Sequence, residues 1–143
     1  MSALPLNVRL LSASAILPTR STSGSAGLDL YAVDAVVLTP NAPVKVRTGI
    51  AIQLPPGHVG LILDRSGLGA KGVRTLAGVL DADYEGEIVV CLAFLGQGTL
   101  LLKPGDRIAQ LVVLPMPALS VQEAWDDSRF SERGQGGFGS TGA

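Results

Sequence analysis

The chain has 143 residues, enough for one domain with a real core and too few for a second. Apolar residues make up 47% but aromatics only 4%, and 18 glycines and 9 prolines interrupt the apolar stretches, which excludes long helices and predicts an all-β barrel or sandwich of short strands. A formal charge of -1 excludes general attraction to nucleic acid or to a membrane surface, so a polyanionic ligand has to be held by a few local groups.

The start, MSALPLNVRL, has no basic region leading into a sustained apolar stretch, and no apolar run reaches the ~18 residues that cross a bilayer. A soluble protein is expected, cytoplasmic or within the host cell for a phage or viral chain. Strands are predicted around residues 8–11, 27–32, 35–38, 44–54, 59–63, 88–95, 99–102 and 107–114, with a short helical turn over 66–71. The breaks between them are turn chemistry, including Pro55-Pro56-Gly57, Gly96-Gln97-Gly98 and Pro104-Gly105-Asp106. Cys91, inside IVVCLAFL, has no partner for an internal disulfide and reads as a buried small hydrophobe in a reducing compartment. From about Ser120 the pattern loosens into EAWDDSRFSERG, which divides the chain into a barrel over 1–119 and a C-terminal arm over 120–143. Trp125 in that connector is expected to pack on a neighbouring surface and guide the arm away from its own barrel, which implies a partner subunit.

The arm ends in RGQGGFGSTGA, which joins a guanidinium, an aromatic ring and hydroxyls to several glycines. Glycines let backbone N–H groups approach an anion, Ser140 and Thr141 add neutral donors, Arg133 can fork onto a phosphate, and Phe138 offers a face to a base. The alternative is a flexible tail that does nothing; an Arg and a Phe among the glycines count against it. Catalysis through a Ser-His-Asp or Cys-His device needs a histidine, and His58 follows a Pro-Pro-Gly turn, where an exposed loop residue is expected. One Cys and one His cannot make a zinc site, so a metal would be Mg2+ carried in by phosphates and keeping several waters. A general base must then be a carboxylate. In GVLDADYEGE the acids Asp81, Asp83, Glu85 and Glu87 alternate with other residues, either as the wet face of a hairpin or as the source of that base.

With AGLDLYA, RSGLG and GDRIAQL placed around it and RGQGGFGSTG at the end, GVLDADYEG completes an ordered set of motifs spread over nearly the whole chain. The chain resembles the homotrimeric deoxyuridine triphosphate nucleotidohydrolases, the dUTPases. That resemblance implies a β-clip or jelly-roll-like barrel, a homotrimer with its sites at subunit interfaces, and an arm that closes over a site built largely by neighbours. It implies hydrolysis of dUTP to dUMP and pyrophosphate by in-line attack of water at the α-phosphorus with Mg2+, limiting uracil in DNA and supplying dUMP for dTMP synthesis. By motif position, Asp81 orients and deprotonates the water, and Tyr84 packs on the deoxyribose. The hairpin from about Thr75 through Gly78, Val79 and Leu80 reads uracil mainly with backbone groups, with Val89 at its wall. Arg65, Ser66, the Gly67 amide and Gln110 bind the inner phosphates. Arg133, Ser140 and Thr141, with Gly139, bind the terminal one, and Phe138 lies over the uracil ring. Asp29 is a structural or outer-shell group that reaches Mg2+ only through water.

The chain departs from the family pattern at Asp64, where many relatives have proline, placing a carboxylate beside the phosphate site or holding Arg65. Thr75 stands where bacterial relatives often have asparagine, and the segment between Gly69 and Gly78 is shorter than in some relatives. Two competing readings remain on the same fold. Deamination of dCTP would need a glutamate base, a cytosine-reading pocket and no Phe-Gly-Ser-Thr tail; a non-catalytic interaction protein would have lost the carboxylate or the tail, yet Asp81, Arg65 and Phe138 are all present.

Overall fold

The longest strands show why the chain folds as layered sheets. In a computed structural model, which describes residues 2–140 and 142, the strand Glu87–Phe94 buries Ile88, Val90, Leu92 and Phe94 and turns the intervening side chains outward. This is the period-2 pattern of a sheet with one face on a core. In chain order the elements are β1 (Asn7–Leu10), β2 (Leu28–Tyr31), β3 (Val36–Leu38), β4 (Val44–Gln53), β5 (His58–Leu63), α1 (Ser66–Gly69), β6 (Val73–Leu76), β7 (Val79–Leu80), β8 (Glu87–Phe94), β9 (Leu100–Leu102) and β10 (Arg107–Pro115).

Two four-stranded antiparallel sheets, ordered β1-β4-β8-β6 and β2-β10-β5-β7, enclose the core, and β3 pairs with β9 in a small third sheet. Neighbours in the sheets are mostly distant in sequence, as in a jelly roll. Leu30, Ile50, Ile52, Ile88, Leu92, Ile108 and Leu111 lie at the centre of the core. No helix of the described residues is long and apolar enough to cross a membrane.

A bulge in β4 breaks the ladder to β8 between Arg47 and Ala51. Gly49 takes a left-handed φ of 68°, and the buried Thr48 donates its hydroxyl to the Ile88 carbonyl at 2.5 Å where the ladder skips. Cys91 corrects the sequence expectation: strand alternation puts it on the outward side of β8, partly exposed, between the buried Val90 and Leu92. His58 starts β5 and is part-buried, its ring Nδ1 2.9 Å from the Pro56 carbonyl of its own turn.

Candidate active site

The segment 73–80 is the first element of the site, and it is not a simple hairpin. β6 pairs with β8 in one sheet, whereas β7 pairs with β5 in the other, so the chain crosses between sheets at Ala77 and Gly78. Ala77 is forced to a φ of 52°, unusual for a residue with a Cβ. At Gly78 a Cβ would strike the Ile62 carbonyl oxygen, while the Gly78 carbonyl accepts the Ile62 N–H at 2.7 Å. The crossing opens a cleft of about 200 Å³ walled by Ile62, Ala77, Val79, Leu80, Ile88 and Val89, with Asp81, Tyr84 and Glu87 at its mouth. Drug-sized ligands fill pockets of roughly 300–1,000 Å³, so this one suits a single small ring.

At the mouth the Asp81 carbonyl accepts the Tyr84 N–H at 3.1 Å, closing a turn that leaves the Asp81 side chain exposed. Among the described residues the Asp81 carboxylate has no hydrogen-bond or ion-pair partner, which leaves both of its oxygens open to a ligand. The Tyr84 hydroxyl donates to the Glu87 carbonyl at 2.9 Å, and its ring lies over Gly86, where any Cβ would clash with the phenol. That contact explains the glycine in DYEG. Glu87 is engaged elsewhere, accepting from Arg47 Nε at 3.1 Å.

The second element is cationic. Arg65 precedes the single helical turn α1, whose first backbone bonds run from Gly69 N–H to Arg65 O and from Ala70 N–H to Ser66 O. Arg65 Nε donates to Asp29 Oδ1 at 2.8 Å. Asp29 is only 7% exposed, and its other oxygen accepts from Ser21 at 3.1 Å and faces Arg107 at 3.7 Å. Gln110 donates its amide to the Asp64 carbonyl at 2.8 Å, and Gly27 of β2's lead-in has no room for a Cβ beside the Gln110 side chain. Arg65, Gly67, Lys71, Asp106 and Arg107 border a hollow of about 320 Å³ against Leu68 and Leu100 to Leu102. Lys71 and Arg107 escaped the sequence reading. For Arg107 a signal existed: a cation in GDRIAQL opposite the acid of AGLDLYA, brought together when β10 pairs with β2.

Asp64 does not hold Arg65. Its Oδ1 accepts the Thr75 N–H at 2.6 Å and the Thr75 hydroxyl at 2.8 Å, and its Oδ2 meets Arg74 Nε at 2.6 Å. Burial pushes the Asp64 carboxyl upward, but the Thr75 bonds and the Arg74 charge outweigh it and hold the group below its ordinary value. Thr75 consequently spends its hydroxyl on Asp64 and is not among the residues that line the cleft.

The third element lies apart. The Met116 N–H to the Gly57 carbonyl is the last hydrogen bond between the C-terminal segment and the barrel among the described residues. Beyond it the bonds are local, such as Gly136 N–H to Arg133 O and Ser140 N–H to Gly137 O. Trp125 is 88% exposed, Phe130 and Phe138 are also exposed, and Phe138 takes a left-handed φ of 49°. Thus Arg133, Phe138, Gly139 and Ser140 do not reach the cleft of their own chain, and Thr141 lies outside the described residues. The ring cleft and the cationic hollow also share no residue. Within one chain the cleft, the cationic hollow and the arm therefore stand apart.

Fold and site together define a class: a jelly-roll-like β protein with a ring-sized cleft carrying a free carboxylate and a separate arginine turn suited to an anion. The comparisons with known proteins make it specific. A family model described as dUTPase matches residues 13–142. A deoxyuridine 5'-triphosphate nucleotidohydrolase of Hydrogenobaculum sp. is 46% identical, covering 97% of this chain and 99% of its own. One from Bordetella avium is 47% identical over 88% of each. Among solved structures, the dUTPase of Staphylococcus bacteriophage 80alpha with dUPNHPP superposes with a TM-score of 0.90 at 29% identity, covering 99% of this chain and 100% of its own. A mutant dUTPase from phage phi11 of S. aureus, described with a structural Mg(II) ion, has a TM-score of 0.81 at 27% identity and covers 88% of this chain and 100% of its own. The chain belongs to the dUTPase family.

Proposed function

We propose that this protein hydrolyses dUTP to dUMP and pyrophosphate by in-line attack of water at the α-phosphorus, with Asp81 as general base. The observation that carries the reading is the unpartnered Asp81 carboxylate at the mouth of a ring-sized apolar cleft, beside Tyr84. A carboxylate engaged by a cation would be a poor base, whereas Glu87, bound by Arg47, is already committed. Main-chain groups of residues 77–80 read the uracil edge, and the tight walls of Ile62, Ile88 and Val89 leave no volume for a thymine methyl. The Tyr84 ring covers the deoxyribose. Arg65, Ser66, the Gly67 amide and Gln110 take the inner phosphates; Arg65 arrives oriented because Asp29 holds its Nε.

Asp29, the buried carboxylate beside Arg65, has its oxygens engaged by Arg65 and Ser21, which fits an outer-shell part toward Mg2+ delivered on the substrate phosphates, reached only through water. Bound there, the ion would offset charge developing on the phosphates. The separation of cleft, arginine turn and arm supports a homotrimer in which residues 1–119 form the barrel and residues 120–143 close over a neighbour's site. In that closed state Phe138 covers the base, while Arg133, Gly139, Ser140 and Thr141 meet the terminal phosphate. In a cell this reaction limits uracil in DNA and supplies dUMP for dTMP synthesis, in the cytoplasm or the interior of a phage's or virus's host. Release of pyrophosphate from dUTP, with dCTP and dTTP as competitors, tests the reading. Asp81→Asn should lower turnover by about 10²–10⁴-fold while nucleotide binding persists; wild-type turnover in that variant, or equal hydrolysis of dTTP, would refute it.

A further inference from the structure

Asp64 carries a consequence beyond the phosphate side on which it sits. Its carboxylate reaches across to Thr75 in β6, the edge strand of its sheet, and accepts both the backbone N–H and the hydroxyl. Three residues on, the Gly78 carbonyl is fixed by the Ile62 N–H of β5. Between these two attachments stands Ala77, a wall of the cleft held at a φ of 52°. A residue with a Cβ keeps such a conformation only where its surroundings over-determine it. Here the determinants are the Ile62 bond on one side and, on the other, the Leu76 to Cys91 ladder pair reinforced by the Asp64 bonds to Thr75. Thr75 also pairs with Leu92 of β8, but that ladder leaves its N–H for Asp64.

We infer that Asp64 is a positioning residue that sets base specificity: by clamping Thr75 it holds the strained Ala77 wall in place and keeps the cleft too narrow for a thymine methyl. The inference rests on the dUTP reading. The Asp64 carboxylate is engaged by Thr75 and Arg74 and lines neither the cleft nor the cationic hollow, so its effect belongs to KM and to base choice rather than to kcat.

The test compares Asp64→Ala with Asp64→Asn in the full-length protein, measuring kcat and KM for dUTP and the ratio of kcat/KM for dUTP over dTTP. With both Thr75 bonds gone, Asp64→Ala should raise KM about tenfold and lower the ratio about tenfold, with kcat within about threefold of wild type. Asp64→Asn keeps a carbonyl acceptor for Thr75 and should recover most of both. An unchanged ratio in Asp64→Ala, or a loss confined to kcat, overturns the inference. If Asp64→Ala does not fold, Thr75→Val, which removes only the hydroxyl bond, carries the test: a fall of about threefold in the ratio supports it and an unchanged ratio overturns it. Absence of dUTP hydrolysis by the wild-type protein would instead overturn the dUTP reading, so the two failures are distinguishable.

Discussion

Replacing Asp29 with alanine leaves Arg65 without the partner that aims it. The Arg65 to Asp29 contact is 2.8 Å, with side-chain exposures of 24% and 10%, so both charges are largely withdrawn from water. Removing one member of a buried pair costs about 3–5 kcal/mol, because the other charge remains uncompensated. Water reaches a quarter of Arg65, and Arg107 loses only a 3.7 Å contact, which places the cost at the low end, about 3 kcal/mol. Domains of this size carry roughly 5–15 kcal/mol of stability, so the variant should fold with its Tm lowered by about 10 °C. Asp29→Asn, which keeps an acceptor for Arg65 Nε, should lose about half as much. Thermal unfolding at one fixed protein concentration measures the first effect, and KM for dUTP measures the lost aim of Arg65. A double-mutant cycle with Arg65→Ala should return a coupling above about 1.5 kcal/mol. Additive effects in that cycle, or an Asp29→Ala variant with unchanged KM, would refute the view that Asp29 orients Arg65.

Two further outcomes are expected. Phe138→Ala or deletion after Gly134 should lower kcat far more than it weakens binding of a non-hydrolysable dUTP analogue, since stacking worth about 1–3 kcal/mol is partly offset by ordering the glycine-rich arm; C-terminal protection from protease by dUMP equal to that by the triphosphate analogue would contradict a phosphate-gated arm. The depressed Asp64 pKa makes a pH-dependent contribution to stability: a carboxyl lowered by folding stabilises above its unfolded pKa, and that contribution fades as pH falls through the folded value. The difference in urea midpoint between wild type and Asp64→Asn should therefore be full above about pH 5 and shrink under acid conditions, and a difference that grows toward low pH would reverse the assignment.

The strands were legible because alternation and turn residues are local signals. The predicted strand over 44–54 became Val44–Gln53, and that over 107–114 became Arg107–Pro115. The segment 73–80 was harder, because nothing local in VRTLAGVL says that its arms join different sheets. Only the partners β8 and β5, supplied by distant sequence, decide that. The role of Asp64 was hidden for the same reason: its sequence neighbour is Arg65, but its chemical neighbours are Arg74 and Thr75, brought up by the crossing. Motif order singled out Asp81, Tyr84, Arg65 and Gln110 as candidates, yet it could not show that the cleft and the arginine turn border different hollows. That separation gives the exposed arm its physical meaning. Trp125, Phe130 and Phe138 carry large apolar areas in water and make no hydrogen-bonded return to the barrel. Burying Trp125 and Phe130 on a second copy would remove apolar surface from water and bring the arm beside that copy's cleft or turn. Assembly would then place the arm, and the bound triphosphate would close it.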